Sequence, residues 1–207
     1  MPLKSSEAAC AEARALGLAT HLDGARLFNG CAAGGYTPEQ FCAPYDTVSI
    51  CLSKGLGAPI GSVLLGSRDR IDLARHYRKL YGGGWRQAGL LAAAGLHALK
   101  SHTERLREDH EVAAELADGL GDLGFDVIPP ETNMVWCAPP KELGDFSGTS
   151  RRLAEEEGIL VGSAYGGPAG RHPCADARMA LRFVTHLQAG RPAVRALLSG
   201  LTRMLRR

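Results

Sequence analysis

The sequence predicts an α/β protein, with a parallel sheet and flanking helices followed by a small α+β domain. Three observations lead there. Up to about residue 84 the apolar spacing switches back and forth between helical and alternating periods, the pattern of helices interleaved with parallel strands. After Gly124 the rhythm changes, and short strands cluster around one short helix. Two predicted strands also run directly into chemically capable side chains, Asp23 and Lys54. Parallel sheets bind ligands just beyond the carboxyl ends of their strands.

Each element has a local reason. "SSEAACAEARALG" predicts a helix with Ser5 or Ser6 as N-cap and Gly17 as its stop. "LATHLD" alternates Leu18, Thr20 and Leu22 as a strand does, and ends on Asp23. In "TPEQ", Thr37 is placed as N-cap, Pro38 at the first helical position and Gln40 at the capping-box position. "TVSICLS" predicts a buried strand ending at Lys54, and "IGSVLLG" another. "SRDRIDLARHYRKLYGGG" is a helix stopped by glycines, and Trp85 to Leu123 is helical with a break near Ser101.

"FDVIP", "NMVWCAP", "ILVGS" and "RMALRFV" predict strands, and "TSRRLAEEEG" a helix. "RPAVRALLSGLTRML" predicts a closing amphipathic helix with Val194, Leu197, Leu198, Leu201, Met204 and Leu205 on one face. "PPKELGDFSGTS" and "SAYGGPAGRHPCAD" read as loops. The boundary falls near residue 120, giving portions 1–120 and 121–207.

The 207 residues are 45% apolar and 22% charged, ordinary for a chain that buries a real core. A net charge of +2 gives no strong pull toward nucleic acid or anionic membranes. No apolar run is long enough to span a membrane, and the N-terminus lacks a signal-peptide core. The six cysteines contain no CxxC pair. The expectation is a soluble, cytoplasmic protein in a reduced compartment, without metal, nucleic-acid or membrane partners. His97, His102 and His110 lack metal-ligand spacing.

A carboxylate and a lysine at neighbouring strand ends suit pyridoxal phosphate. That cofactor needs an amine to hold its aldehyde and an acid beside its ring nitrogen. Lys54 closes an apolar run and is followed by Gly55, Gly57, Pro59 and Gly61, so other groups can approach closely. Blander roles remain open on residue type alone. Asp23 before Gly24 also suits a turn or a helix N-cap, and Arg26 a solvated helix position. Arg182 also suits a pairing with Asp176, and Lys79 and Arg86 are ordinary charges near a helix end. His186 suits a structural role as well as one near Arg182.

The motifs "HLDGARLFNG", "SKGLGAPIGS", "YGGGWRQAGLLAAAGLHAL" and "LRFVTH", in that order, resemble the low-specificity L-threonine aldolases. These belong to the β-eliminating lyase group of fold-type I pyridoxal-phosphate enzymes. The resemblance extends over nearly the whole chain. It implies the C-terminal portion of the aspartate aminotransferase-like fold, with residues 1–120 as part of the large cofactor domain and 121–207 as the small domain. It further implies that Lys54 holds the cofactor and Asp23 faces its ring nitrogen. Arg26 would lie beside the ring hydroxyl, and Arg182 would clamp the substrate α-carboxylate. Lys79 and Arg86 would reach the phosphate of a neighbouring subunit's cofactor, hence a homo-oligomer, a dimer or tetramer. The implied reaction is cleavage of L-threonine or L-allo-threonine to glycine and acetaldehyde, serving threonine catabolism and glycine formation.

The resemblance also implies a difference. Relatives carry a long segment before "HLDGAR", which here starts at His21. That segment is implied to hold the phosphate cup, the ring-stacking group and several strands. The expectation is therefore a chain lacking the N-terminal part of the fold. The competing readings are a catalytically silent homologue that partners a full-length aldolase, a lyase for aromatic amino acids, and, more remotely, a lysine aldolase working without pyridoxal.

Overall fold

The computed structural model describes residues 2–144, 146–162 and 181–206. The chain divides into two compact units, Met1–Arg107 and Glu108–Arg207. The sequence-based boundary near 120 and this division are separated by most of one helix, α6 (Leu106–Asp122).

The first unit is built on a three-stranded sheet: β1 (His21–Gly24), β2 (Thr47–Cys51) and β3 (Ser62–Gly66), in that spatial order. It follows α1 (Leu3–Ala15). β1 and β2 are parallel, with Asp23 opposite Ser49 and Gly24 opposite Ile50. Between them run α2 (Leu27–Gly34), which the sequence patterning did not reveal, and α3 (Pro38–Cys42). The capping box of α3 forms as expected. The Gln40 N–H donates to Thr37 Oγ1 at 3.2 Å, and the Thr37 N–H donates to Gln40 Oε1 at 2.8 Å. Such caps stabilise a helix start by about 1 kcal/mol. Val48 and Ile50 of β2 bury against Leu27, Cys31 and Phe41, which fixes which face of the sheet is inside.

The mouth of β1 is pinned by Asp46, whose Oδ2 accepts from the Thr20 N–H at 2.8 Å and from the Thr20 hydroxyl at 3.0 Å. Arg70 reaches its other oxygen at 2.8 Å. The Thr20 bonds, then Arg70, hold the Asp46 carboxyl below the ordinary range. Its contribution to the unit is thus lost as pH falls through that lowered value.

One expectation is corrected here: β3 is antiparallel to β2, so the sheet is mixed rather than parallel. The reason is connection length. Residues 52–61 form no helix, and a stretch that short does not make a parallel crossover.

β3 is exposed along its whole length, with Leu64 and Leu65 each 42% accessible. The helix after it, α4 (Arg68–Leu80), buries no residue and exposes Leu73, Tyr77 and Leu80. An unpaired apolar edge strand templates association. Leu64→Lys is expected to reduce self-association of the chain in sedimentation velocity. An unchanged distribution would show that β3 is not the adhesive element.

The first unit ends with α5 (Gly89–Ser101) and the opening residues of α6. Leu52, Leu56, Ala58, Ala98 and Leu106 form a second small core there.

The second unit packs an antiparallel sheet, β4 (Asp126–Ile128), β5 (Met134–Ala138) and β6 (Leu181–Val184), against helices. One helix face supplies Val112, Leu116 and Leu120 from α6, and another supplies Val194, Leu197, Leu201 and Met204 from α8 (Arg191–Leu205). α7 (Ser147–Glu157) adds Leu153. Period-two alternation puts Val135, Cys137 and Leu181 into this core. The expected strand "ILVGS" is not one within its described residues, 159–162, where Leu160 is exposed. The remainder of that stretch, the loop "SAYGGPAGRHPCAD" with Cys174 and Asp176, and the start of "RMALRFV" lie outside the described residues.

Candidate active site

Parallel pairing brings the carboxyl ends of β1 and β2 to one edge of the first sheet. Asp23 is exposed near the end of β1, and Lys54 is exposed three residues past the end of β2. The backbone around them is held tightly. A Cβ on Gly24 would lie 2.6 Å from the Ser49 carbonyl oxygen, so only glycine lets the strands close up there. Asp23 Oδ1 accepts from the Ala25 N–H at 3.2 Å, starting the turn into α2. Arg26, half-buried, stands immediately before α2 as its N-cap residue.

The Lys54 loop is a folded turn, closed by the Gly57 N–H donating to the Lys54 carbonyl at 2.9 Å, with Gly57 at φ +71°. Gly55 and Leu56 are buried beneath it. A Cβ on Gly55 would come within 2.9 Å of Leu106 and 3.2 Å of Asn29 Oδ1. Buried Asn29 belongs to α2, so this glycine lets the lysine loop rest on the helix that follows Asp23 and Arg26. His102 Nδ1 lies 2.6 Å from the Leu56 carbonyl oxygen. A carbonyl only accepts, so Nδ1 carries the proton, and the end of α5 is fastened to the loop. Residues Gly24–Asn29 with Cys51, Gly55 and Leu56 line one small cleft.

The structure thus gathers Asp23, Arg26 and the Lys54 loop at one sheet edge. Lys79 and Arg86 stand on a different element, the exposed end of α4 and the turn after it. Lys79 folds over the turn, its Nζ only 3.1 Å from where a Cβ on Gly84 would sit. Arg182 lies on β6 of the second unit, exposed, opposite Trp136 on β5. Its guanidinium carbon is 5.5 Å from the centre of the Trp136 ring. Below it, the Asn133 side-chain amide donates to the Thr185 carbonyl at 2.8 Å, and the Thr185 N–H donates to the Asn133 carbonyl at 3.0 Å. These buried bonds lock the strand that carries Arg182. His186 Nδ1 accepts from the Gln188 N–H at 3.3 Å, a turn contact.

Asn29 and Trp136 were not singled out from the sequence, and His102 was weighed there only as a metal ligand. Trp136 had a usable signal: alternation in "NMVWCAP" sets it on the face opposite Val135 and Cys137. Among the described residues no three His, Cys, Asp or Glu side chains gather as metal ligands. No helix among them is long and apolar enough to cross a membrane.

Cys31 of α2 is buried, and that burial, with Cys42 and Glu39 nearby, pushes its thiol from 9.0 up to about 11. The folded state holds this proton more tightly than the unfolded chain does. Stability of the first unit therefore falls as pH rises from 9.0 to about 11. Thermal unfolding across that range is expected to flatten in Cys31→Ala. An equal pH slope in both proteins would contradict the assignment.

A family model for beta-eliminating lyases matches residues 1–139. The chain belongs to the beta-eliminating lyase family. Within that family it is 41% identical over 174 residues to the low specificity L-threonine aldolase of Escherichia coli strain K12, a match covering 84% of this chain and 47% of that one. It is 42% identical over 148 residues to low-specificity L-threonine aldolase 1 of Arabidopsis thaliana, covering 70% and 41%. The chain spans about half the length of these relatives. Among solved structures, the threonine aldolase of Leishmania major superposes with a TM-score of 0.76 at 20% identity, covering 99% of this chain and 57% of that one. A Sphingomonas wittichii serine palmitoyltransferase superposes at 0.65 and 18% identity, covering 97% and 50%. The fold of this beta-eliminating lyase chain is thus part of the fold-type I pyridoxal-phosphate architecture.

Proposed function

We propose that this chain carries the lysine, the ring acid and the carboxylate clamp of a pyridoxal-phosphate-dependent aldolase. It would cleave L-threonine or L-allo-threonine between Cα and Cβ to glycine and acetaldehyde. The observation that carries the reading is the convergence of Asp23 and the Lys54 loop at the carboxyl ends of adjacent parallel strands. The identities to threonine aldolases support it.

The donor set fits the cofactor at its aldehyde and at its ring nitrogen. Pyridoxal phosphate, when bound, supplies the sink for the electrons of the broken Cα–Cβ bond. Lys54 Nζ would provide the amine that holds the aldehyde. The Asp23 carboxylate keeps a proton on the ring nitrogen, and the turn at Ala25 holds it in place. Arg26 would stand beside the ring hydroxyl. Arg182 binds the substrate α-carboxylate with paired N–H groups, a match for a planar guanidinium. Lys79 and Arg86 would serve the phosphate of a neighbouring subunit, so the working form would be a homo-oligomer.

The test incubates the purified chain with pyridoxal phosphate and L-threonine. Glycine and acetaldehyde appearing in equal amounts above the protein-free background support the reading, and L-tryptophan as substrate separates it from an aromatic amino acid lyase. The exposed β3, and an α4 that buries no residue, favour a second reading, a silent homologue that associates with a full-length aldolase. Co-purification with such an aldolase, with no glycine formed by the chain alone, would favour that second reading.

A further inference from the structure

The outer face of the second unit's sheet is unusual for a surface. Residues alternate along β5, so Val135 and Cys137 enter the core while Met134, Trp136 and Ala138 point the other way. Trp136 is flanked in register by Ile128 on β4 and Arg182 on β6. An exposed arginine on a short edge strand ordinarily samples many rotamers and loses that freedom when it grips a ligand. Here the guanidinium carbon lies 5.5 Å from the indole centre, within the ~6 Å reach of a cation–π contact. Contact through the ring face uses none of the guanidinium's N–H donors. It therefore restrains the charge without competing for the groups that grip a carboxylate.

We propose that Trp136 is a positioning residue for the substrate carboxylate, acting through Arg182. It restrains the guanidinium before the ligand arrives, so less rotamer freedom is lost on binding. The inference rests on the reading of Arg182 as the carboxylate clamp. It assigns Trp136 no contact with substrate or cofactor.

The experiment measures binding, by calorimetry, of glycine and of methylamine to the full chain supplied with pyridoxal phosphate. Methylamine keeps the amine and lacks the carboxylate. Trp136→Leu is expected to weaken glycine about two- to fivefold and leave methylamine unchanged, the scale of a partly exposed cation–π contact. Trp136→Phe, which keeps a ring face, is expected to restore glycine binding to within about twofold. Trp136→Met takes the place of the leucine variant should that one not fold. Unchanged glycine affinity in the leucine or methionine variant would overturn the inference. Equal weakening of both amines would do the same, since it marks a general structural loss.

Arg182→Leu tests the underlying reading separately. A loss of about tenfold or more for glycine alone upholds the clamp. No loss would remove the clamp whatever Trp136 does, and a native chain that binds no glycine would remove both.

Discussion

Lys54→Ala is expected to abolish covalent attachment of pyridoxal phosphate to the chain. Borohydride reduction should leave a pyridoxyl label on Lys54 of the native protein, located by peptide mass spectrometry, and none on the variant. Threonine cleavage should fall by about 10²–10⁴-fold, the scale seen when a group that transfers protons at the reacting centre is removed. The loop predicts that the effect is chemical rather than structural. Lys54 is exposed, and the turn is held by the Gly57 N–H on the Lys54 carbonyl, which alanine retains. Buried Gly55 and Leu56 keep their contacts as well. Lys54→Arg should keep the charge and still lose the label. A label of native strength in the alanine variant would place the attachment on another lysine.

Asp23→Asn should separate the two roles that this carboxylate can play. As a turn residue, Asp23 accepts the Ala25 N–H, and an asparagine oxygen does that equally well. As the ring acid, it must carry negative charge, and asparagine does not. The expected result is therefore a folded variant that still takes up the Lys54 label and forms glycine about 10²–10⁴-fold more slowly. Asp23→Ala should be as slow and should also lose the turn bond. Native turnover in Asp23→Asn would reduce Asp23 to a turn residue. The cofactor reading would then rest on Lys54 alone.

Local chemistry made much of this protein readable from its residues. The Thr37–Pro38–Gln40 cap, the glycine stops and the alternation of β2 and β5 are decided within a few neighbours, and they stand as the sequence implies. β1 and β2 were found for the same reason, together with the residues that follow them. α2 was missed because "RLFNGCAAGG" has two internal glycines and no side-chain cap. Its helical state comes from Leu27 and Cys31 packing under β2. β3 was assigned the wrong direction because periodicity reports which residues share a face and is silent on strand polarity; the length of residues 52–61 held that information.

The sequence by itself determined that one strand carries an acid at its end and that a lysine follows another, because each strand is set by its own side chains; β2 stops at Cys51, short of Lys54, and its parallel pairing with β1 is tertiary. Only the tertiary structure decided what surrounds them: Gly55 seated against Asn29, His102 holding the lysine loop, and Trp136 under Arg182. Those partners lie tens of residues apart along the chain. Their meeting depends on how whole elements pack, and no local pattern encodes that.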